Sequence, residues 1–168
     1  GGVGHAAVQV ADAVSARVVT TAAPEYHDRL SDLGADVVLD YGRDDLADAV
    51  VDATGGGADA ILDHRLDDYL QFDADVAAQG CRVVGIGENS PDPAFTNDGA
   101  ARSKDVSYQF MSMFNMPDLR VGLRGVAHLM QSDRLSVEIA RSYGLDEAGE
   151  AQRAVMEDSF FGKLVIEP

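Results

Sequence analysis

The stretch Gly1-Gly2-Val3-Gly4-His5-Ala6-Ala7 decides how the rest of the chain is read. From Gly2 it spells G-x-G-x-x-A, the small-residue form of a dinucleotide fingerprint. The first glycine permits a tight turn, the second lets a pyrophosphate reach the backbone, and Ala7 lets a helix pack closely on a sheet. Bare N–H groups and the positive dipole end of the helix that follows favour phosphate there. Alone the motif is weak, because it belongs after a β-strand and nothing precedes it here. Its context has to come from downstream.

Val3, Ala6, Ala7, Val10, Ala11 and Val14 fall on one stripe and predict a helix over 3–14. A β-branched run at 17–21 predicts a buried strand. Pro24 opens a helix that stops at Gly34. Strands are predicted at 36–40, 58–63, 81–87, 106–113, 137–143 and 164–166, with helices at 46–53, 69–78, 118–131 and 146–157. Residues 88–105, with Pro91, Pro93 and Gly99, read as a long loop. Regular alternation of helix and strand, with apolar runs rather than strict two-residue alternation, predicts an α/β fold with a doubly wound parallel sheet. In such a Rossmann sheet the first strand lies between the second and the fourth. That strand would precede Gly1, so the sheet is expected to lack it and the chain to be part of a longer one.

Composition narrows the partners. The chain has 168 residues, 46% of them apolar, and a formal net charge of −16. Asp outnumbers Glu 22 to 7, and Lys104 and Lys163 are the only lysines. That field repels nucleic acid and anionic membranes, and no run is long enough to span a bilayer. A single cysteine, Cys81, excludes an internal disulfide and fits a reducing, cytoplasmic setting. Carboxylates interleaved with an ordinary core resemble the surfaces of salt-adapted proteins. Their repulsion is screened when the Debye length falls to about 3 Å at 1 M salt. The melting temperature is therefore expected to rise from dilute buffer to molar salt; equal values in the two would contradict a halophilic design.

Four segments, in order, resemble the medium-chain dehydrogenase/reductase superfamily, and within it the zeta-crystallin-like quinone oxidoreductases. They are Gly1 to Gln9, Leu33 to Tyr41, Gly80 to Val84 with Gly87, and Leu145 to Arg153 with Gly162 to Ile166. The resemblance covers essentially the whole chain. It implies that residues 1–135 are a dinucleotide-binding domain and that 136–168 return to a GroES-like catalytic domain lying upstream. It further implies an NADPH-dependent oxidoreductase passing hydride to a quinone or enone-like acceptor, with this chain as the cofactor half and inactive alone. Zinc ligands, where relatives have them, belong to that other half. Here His5, His27, His64, His128 and Cys81 show no zinc spacing. A zinc-dependent alcohol dehydrogenase of the same superfamily and a non-catalytic NADPH-binding relative are the alternatives.

An NAD site usually has an acid at the end of its second strand, bonded to the ribose 2′-OH. Thr20-Thr21-Ala22-Ala23 offers none, which favours NADPH over NADH, with Thr21 at the site and His27 or Arg29 as the nearest cations. By resemblance, Gly2, Val3 and Gly4 take the pyrophosphate, Tyr41 lies near the 2′-phosphate, and Lys163 reaches the phosphates. Gly85 and Gly87 end a strand at the ligand-facing rim. Phe110 opens the run Phe110-Met111-Ser112-Met113-Phe114, which the resemblance places beside the nicotinamide. The same strand, 106–113, is the implied pairing edge of a homodimer. His64 lies at the rim but is not taken as catalytic. No catalytic acid or base is assignable, and the substrate is a small molecule of unspecified structure. A short-chain dehydrogenase is disfavoured, since no tyrosine has a lysine four residues on.

Overall fold

The computed structural model describes residues 1–168. In order, the chain forms α1 (Gly4–Ala13), β1 (Val19–Ala22), α2 (His27–Asp32), β2 (Val37–Asp40), α3 (Leu46–Thr54), β3 (Ala58–Asp63), α4 (Leu66–Val76) and β4 (Ala77–Gly85). It continues with α5 (Gly99–Ser103), β5 (Ser107–Phe110), α6 (Leu119–Gln131), β6 (Ile139–Gly144), α7 (Ala148–Glu157) and β7 (Lys163–Glu167). The α/β class therefore holds. The strands form three ladders, β1-β2, β3-β4-β5 and β6-β7, and every pair in the last two is parallel. β1-β2 and β3-β4-β5 share no strand.

Several expected boundaries move. Pro24 begins a 3-10 turn over Pro24–Tyr26, and regular helix starts only at His27. α4 begins at Leu66, three residues earlier than its periodicity suggests, because Leu66 and Leu70 are both core residues. Ala77 and Ala78, read as helix, already belong to β4. The expected loop at 88–105 contains α5, a short helix on which Ala101 is buried. The expected strand at 106–113 is paired only over Ser107–Phe110; Met113–Asn115 turn into a 3-10 helix closed by the Ser112 side chain. Phe110, Met111, Met113 and Phe114 are exposed, so their apolarity does not mark core.

The chain divides into two units, 1–38 with 120–168, and 39–119. In the first, Val8, Val18, Ala22, Leu30, Ala35 and Phe161 form one buried cluster. Polar bonds join its distant segments. The Gln9 amide donates to the Ser136 carbonyl at 3.0 Å and accepts from the Ser136 N–H at 2.7 Å. Arg134 donates to the Ala13 carbonyl at the end of α1, and Arg29 pairs with Glu138 at 2.6 Å. A smaller cluster of Tyr143, Ala151 and Ala154 seats α7 on the β6-β7 ladder.

The second unit is continuous in sequence. Leu46 and Val50 of α3 pack with Val76, Phe72 and Ile61. Ala77, Cys81 and Val83 of β4 lie under Ile61, Val106 and Tyr108. β4 is central in its ladder, and Cys81 and Val83 are wholly buried, as a strand covered on both faces requires.

Candidate functional site

In the first unit the expected phosphate residues meet. Gly2 precedes α1, and a Cβ built there would stand 2.6 Å from Lys163 Cδ and 2.9 Å from Lys163 Nζ. The lysine stem thus lies where any side chain at position 2 would have to be. Gly4 is open, with no atom within 4 Å of its own built Cβ. Val3 caps α1 without a side-chain hydrogen bond, and the His5 N–H in the first turn donates to the Gly1 carbonyl at 3.3 Å. Three features converge: a side-chain-free backbone, the positive end of a ten-residue helix and an ammonium group. Together they suit a phosphate.

Behind this corner lies a residue that sequence reading passed over. Phe161 is 5% exposed and touches the rings of His5 and Tyr26, with centroids 5.9 and 5.6 Å away. The Arg29 guanidinium lies 4.3 Å from the centre of its ring. Arg29, one of the two cations considered for a 2′-phosphate, is thus committed to Glu138 and Phe161. His27 is half-buried, and its Nε2 lies 3.1 Å from the Ala22 carbonyl at the end of β1. Thr21, one residue before that end, is exposed, and no carboxylate stands within β1.

In the second unit the register brings two expected residues side by side. Gly85 pairs with Asp63 on one side and with Phe110 on the other, so the row Asp63, Gly85, Phe110 marks the carboxyl edge of the ladder. Open α/β sheets take ligands at that edge. The turn after β3 is bonded to the exit of β4: the Ile86 N–H donates to the Asp63 carbonyl at 2.8 Å, and the Leu66 N–H to the Gly87 carbonyl at 3.1 Å. A Cβ on Gly85 would run into the Leu66 side chain, which is 2% exposed. The missing side chain at 85 is thus already required by packing. Tyr41 follows β2 and is 53% exposed, and Phe110 is 64% exposed. His64 lends only its carbonyl to the packing around Gly87.

The strongest electrostatic feature is one that motif reading did not single out. Asp63 and Asp73 are 7% and 3% exposed, and their carboxyls lie within hydrogen-bonding reach of each other. Burial, and then the neighbouring Asp63 charge, push Asp73 up to about 8. The Cys81 thiol is raised chiefly by burial, and Tyr108 is pushed to about 12 by burial and then by Asp73. A signal was present in the sequence: Leu66, Leu70, Asp73 and Ala74 share one helical stripe, which places an acid on the apolar face of α4.

No group of three or more His, Cys, Asp or Glu side chains among the described residues is arranged to hold a metal ion. No helix is long and apolar enough to cross a membrane.

A family model described as zinc-binding dehydrogenase matches residues 33–166. A crystal structure of an NAD-dependent alcohol dehydrogenase superposes with a TM-score of 0.90 at 27% identity, over 99% of this chain and 48% of that one. The quinone oxidoreductase of Pseudomonas syringae pv. Tomato DC3000 superposes with a TM-score of 0.86 at 26% identity, over 99% of this chain and 53% of that one. Among curated proteins, a phenolphthiocerol/phthiocerol polyketide synthase polypeptide of Mycobacterium tuberculosis is 29% identical over 177 residues, covering 99% of this chain and 8% of the synthase polypeptide. The chain thus spans about half the length of the two solved relatives and a small part of the curated one.

Proposed function

This chain belongs to the zinc-binding dehydrogenase family, and from that premise we propose that it is the cofactor-binding part of an NADPH-dependent oxidoreductase that reduces a quinone or enone-like carbonyl compound. The meeting of Gly2 and Lys163 at the start of α1 is the observation closest to that conclusion. There the residues fit a dinucleotide: Gly2 and Gly4 admit the pyrophosphate to the backbone, and Lys163 balances its charge. When bound, the nicotinamide supplies the hydride, and the chain contributes position and field. In the second unit Gly85, Gly87 and Phe110 are the residues assigned to the ligand-facing rim.

The preference for NADPH rests on β1. No acid there repels a 2′-phosphate, and Thr21 and His27 stand at the strand's end. The NAD-dependent alcohol dehydrogenase among the solved relatives is the specific reason to keep a second reading, an alcohol dehydrogenase using zinc held elsewhere in the polypeptide. The His and Cys residues of this chain are not arranged to hold zinc, so in that reading the metal's ligands belong to another part of the polypeptide.

Titration of the whole polypeptide containing this chain with NADPH and NADH, in molar salt, tests the proposal. NADPH is expected to bind more tightly. Lys163→Ala is expected to weaken it about tenfold or more, since a charge-assisted hydrogen bond contributes about 1.5–3 kcal/mol. Tighter NADH binding would overturn the cofactor preference, and an unaffected Lys163→Ala variant would remove Lys163 from the site. Loss of turnover with a chelator would favour the alcohol dehydrogenase.

A further inference from the structure

We propose that Asp63 and Asp73 share a single proton, and that this proton clamps the turn from β3 into α4 against the exit of β4. The clamp does not depend on which ligand the chain binds.

Two orphaned oxygens point to it. With both carboxyls ionised, Asp63 Oδ2 and Asp73 Oδ2 are buried acceptors with no hydrogen-bond partner. Two buried acceptors on neighbouring carboxyls repel, and each carries the cost of an unmet polar group. One proton between them turns the same pair into donor and acceptor and satisfies both atoms. The other Asp63 oxygen is already engaged, accepting the Arg65 N–H at 2.7 Å.

No neighbouring cation substitutes for the proton. The Arg65 guanidinium turns to Asp68, and Lys104 donates to the Ala74 and Asp75 carbonyls at the end of α4, at 3.0 and 2.7 Å. β4 presents Cys81 and β5 presents Tyr108, both neutral in the ordinary pH range, while Asp59 and Asp75 add negative charge to the surroundings of Cys81 and Tyr108. α3 meets α4 through Leu46, Val50 and their apolar neighbours.

Asp63 couples the proton to the turn. Its side chain holds the Arg65 N–H and its own carbonyl holds the Ile86 N–H, while Leu66 closes on Gly87. Release of the proton to solvent leaves two adjacent buried carboxylates, and separating them moves Asp63 and the bonds it makes.

Infrared spectra of the full chain with isotope-labelled aspartate test the pair. At about pH 6 the folded protein is expected to show one protonated-carboxyl band, which disappears as pH is raised past about 9 and is absent in Asp73→Asn. Amide exchange at Leu66 and Ile86, corrected for the intrinsic rate, is expected to quicken about tenfold over that range in the parent and to stay flat in Asp73→Asn. Absence of the band at about pH 6, its persistence in Asp73→Asn, or equal exchange profiles in the two proteins would overturn the proposal. Should Asp73→Asn not fold, the presence and titration of the band in the parent chain decide the matter alone.

Discussion

Phe161→Ala is expected to lower stability by about 3–5 kcal/mol, the range for removing a fully buried aromatic ring. Phe161 closes the core of the first unit, where it packs with Val8, Leu30 and Ala35 and carries the His5, Tyr26 and Arg29 contacts. The vacated space cannot collapse readily, because those partners come from three separate stretches held by their own backbone bonds. A residual cavity therefore adds to the lost transfer energy. Phe161→Leu keeps most of the volume and is expected to cost less than half as much. Urea or thermal denaturation in molar salt measures both. A cost of about 1 kcal/mol or less for Phe161→Ala would place the ring outside the core. Lys163 follows two residues later, so the same variant is expected to loosen the lysine from Gly2.

Asp73→Asn is expected to stabilise the chain, and increasingly so as pH rises from about 4 to about 8. In the folded protein Asp73 holds its proton up to about 8, whereas its ordinary value is 3.8. Between those values the unfolded chain binds fewer protons than the folded one, so raising the pH favours unfolding. Below the ordinary value both states are protonated and the contribution of Asp73 is fully present. Above about 8 both are ionised and the loss is complete. Each pH unit within the window removes at most about 1.4 kcal/mol, on the order of a few kcal/mol in all. Asparagine carries no titrating proton, and its amide can donate to Asp63 in place of the lost hydroxyl. The pH dependence of the parent minus that of the variant is the decisive measurement. Parallel curves would show that Asp73 ionises normally in the fold.

The order of elements was legible in the sequence because apolar period and turn chemistry are local properties. Strand Ala58–Asp63 has the expected bounds because Gly57 and the polar turn at His64 frame it. The ends of α4 and β5 were misread because local pattern does not report tertiary packing. Leu66 is helical core only because Gly85 leaves it room, and Met111, Met113 and Phe114 are apolar without being buried. At the candidate site, Gly2 and Gly4 stand out in the sequence through G-x-G-x-x-A, and Lys163 only through the family resemblance. Phe161 and Gln9 do not, since their partners lie more than a hundred residues away and no local period announces them. Asp73 could have been found by asking why an acid sits on an apolar stripe.

The first unit is built from the two ends of the sequence, with the second inserted between them. During synthesis α1 and β1 leave the ribosome long before Phe161 and Gln9's partner Ser136 exist. Val8, Val18 and Leu30 must therefore wait with their apolar faces uncovered. The inserted unit is continuous in sequence and can consolidate first. Closing the outer unit then carries the entropy of a long loop, which makes it the slower event.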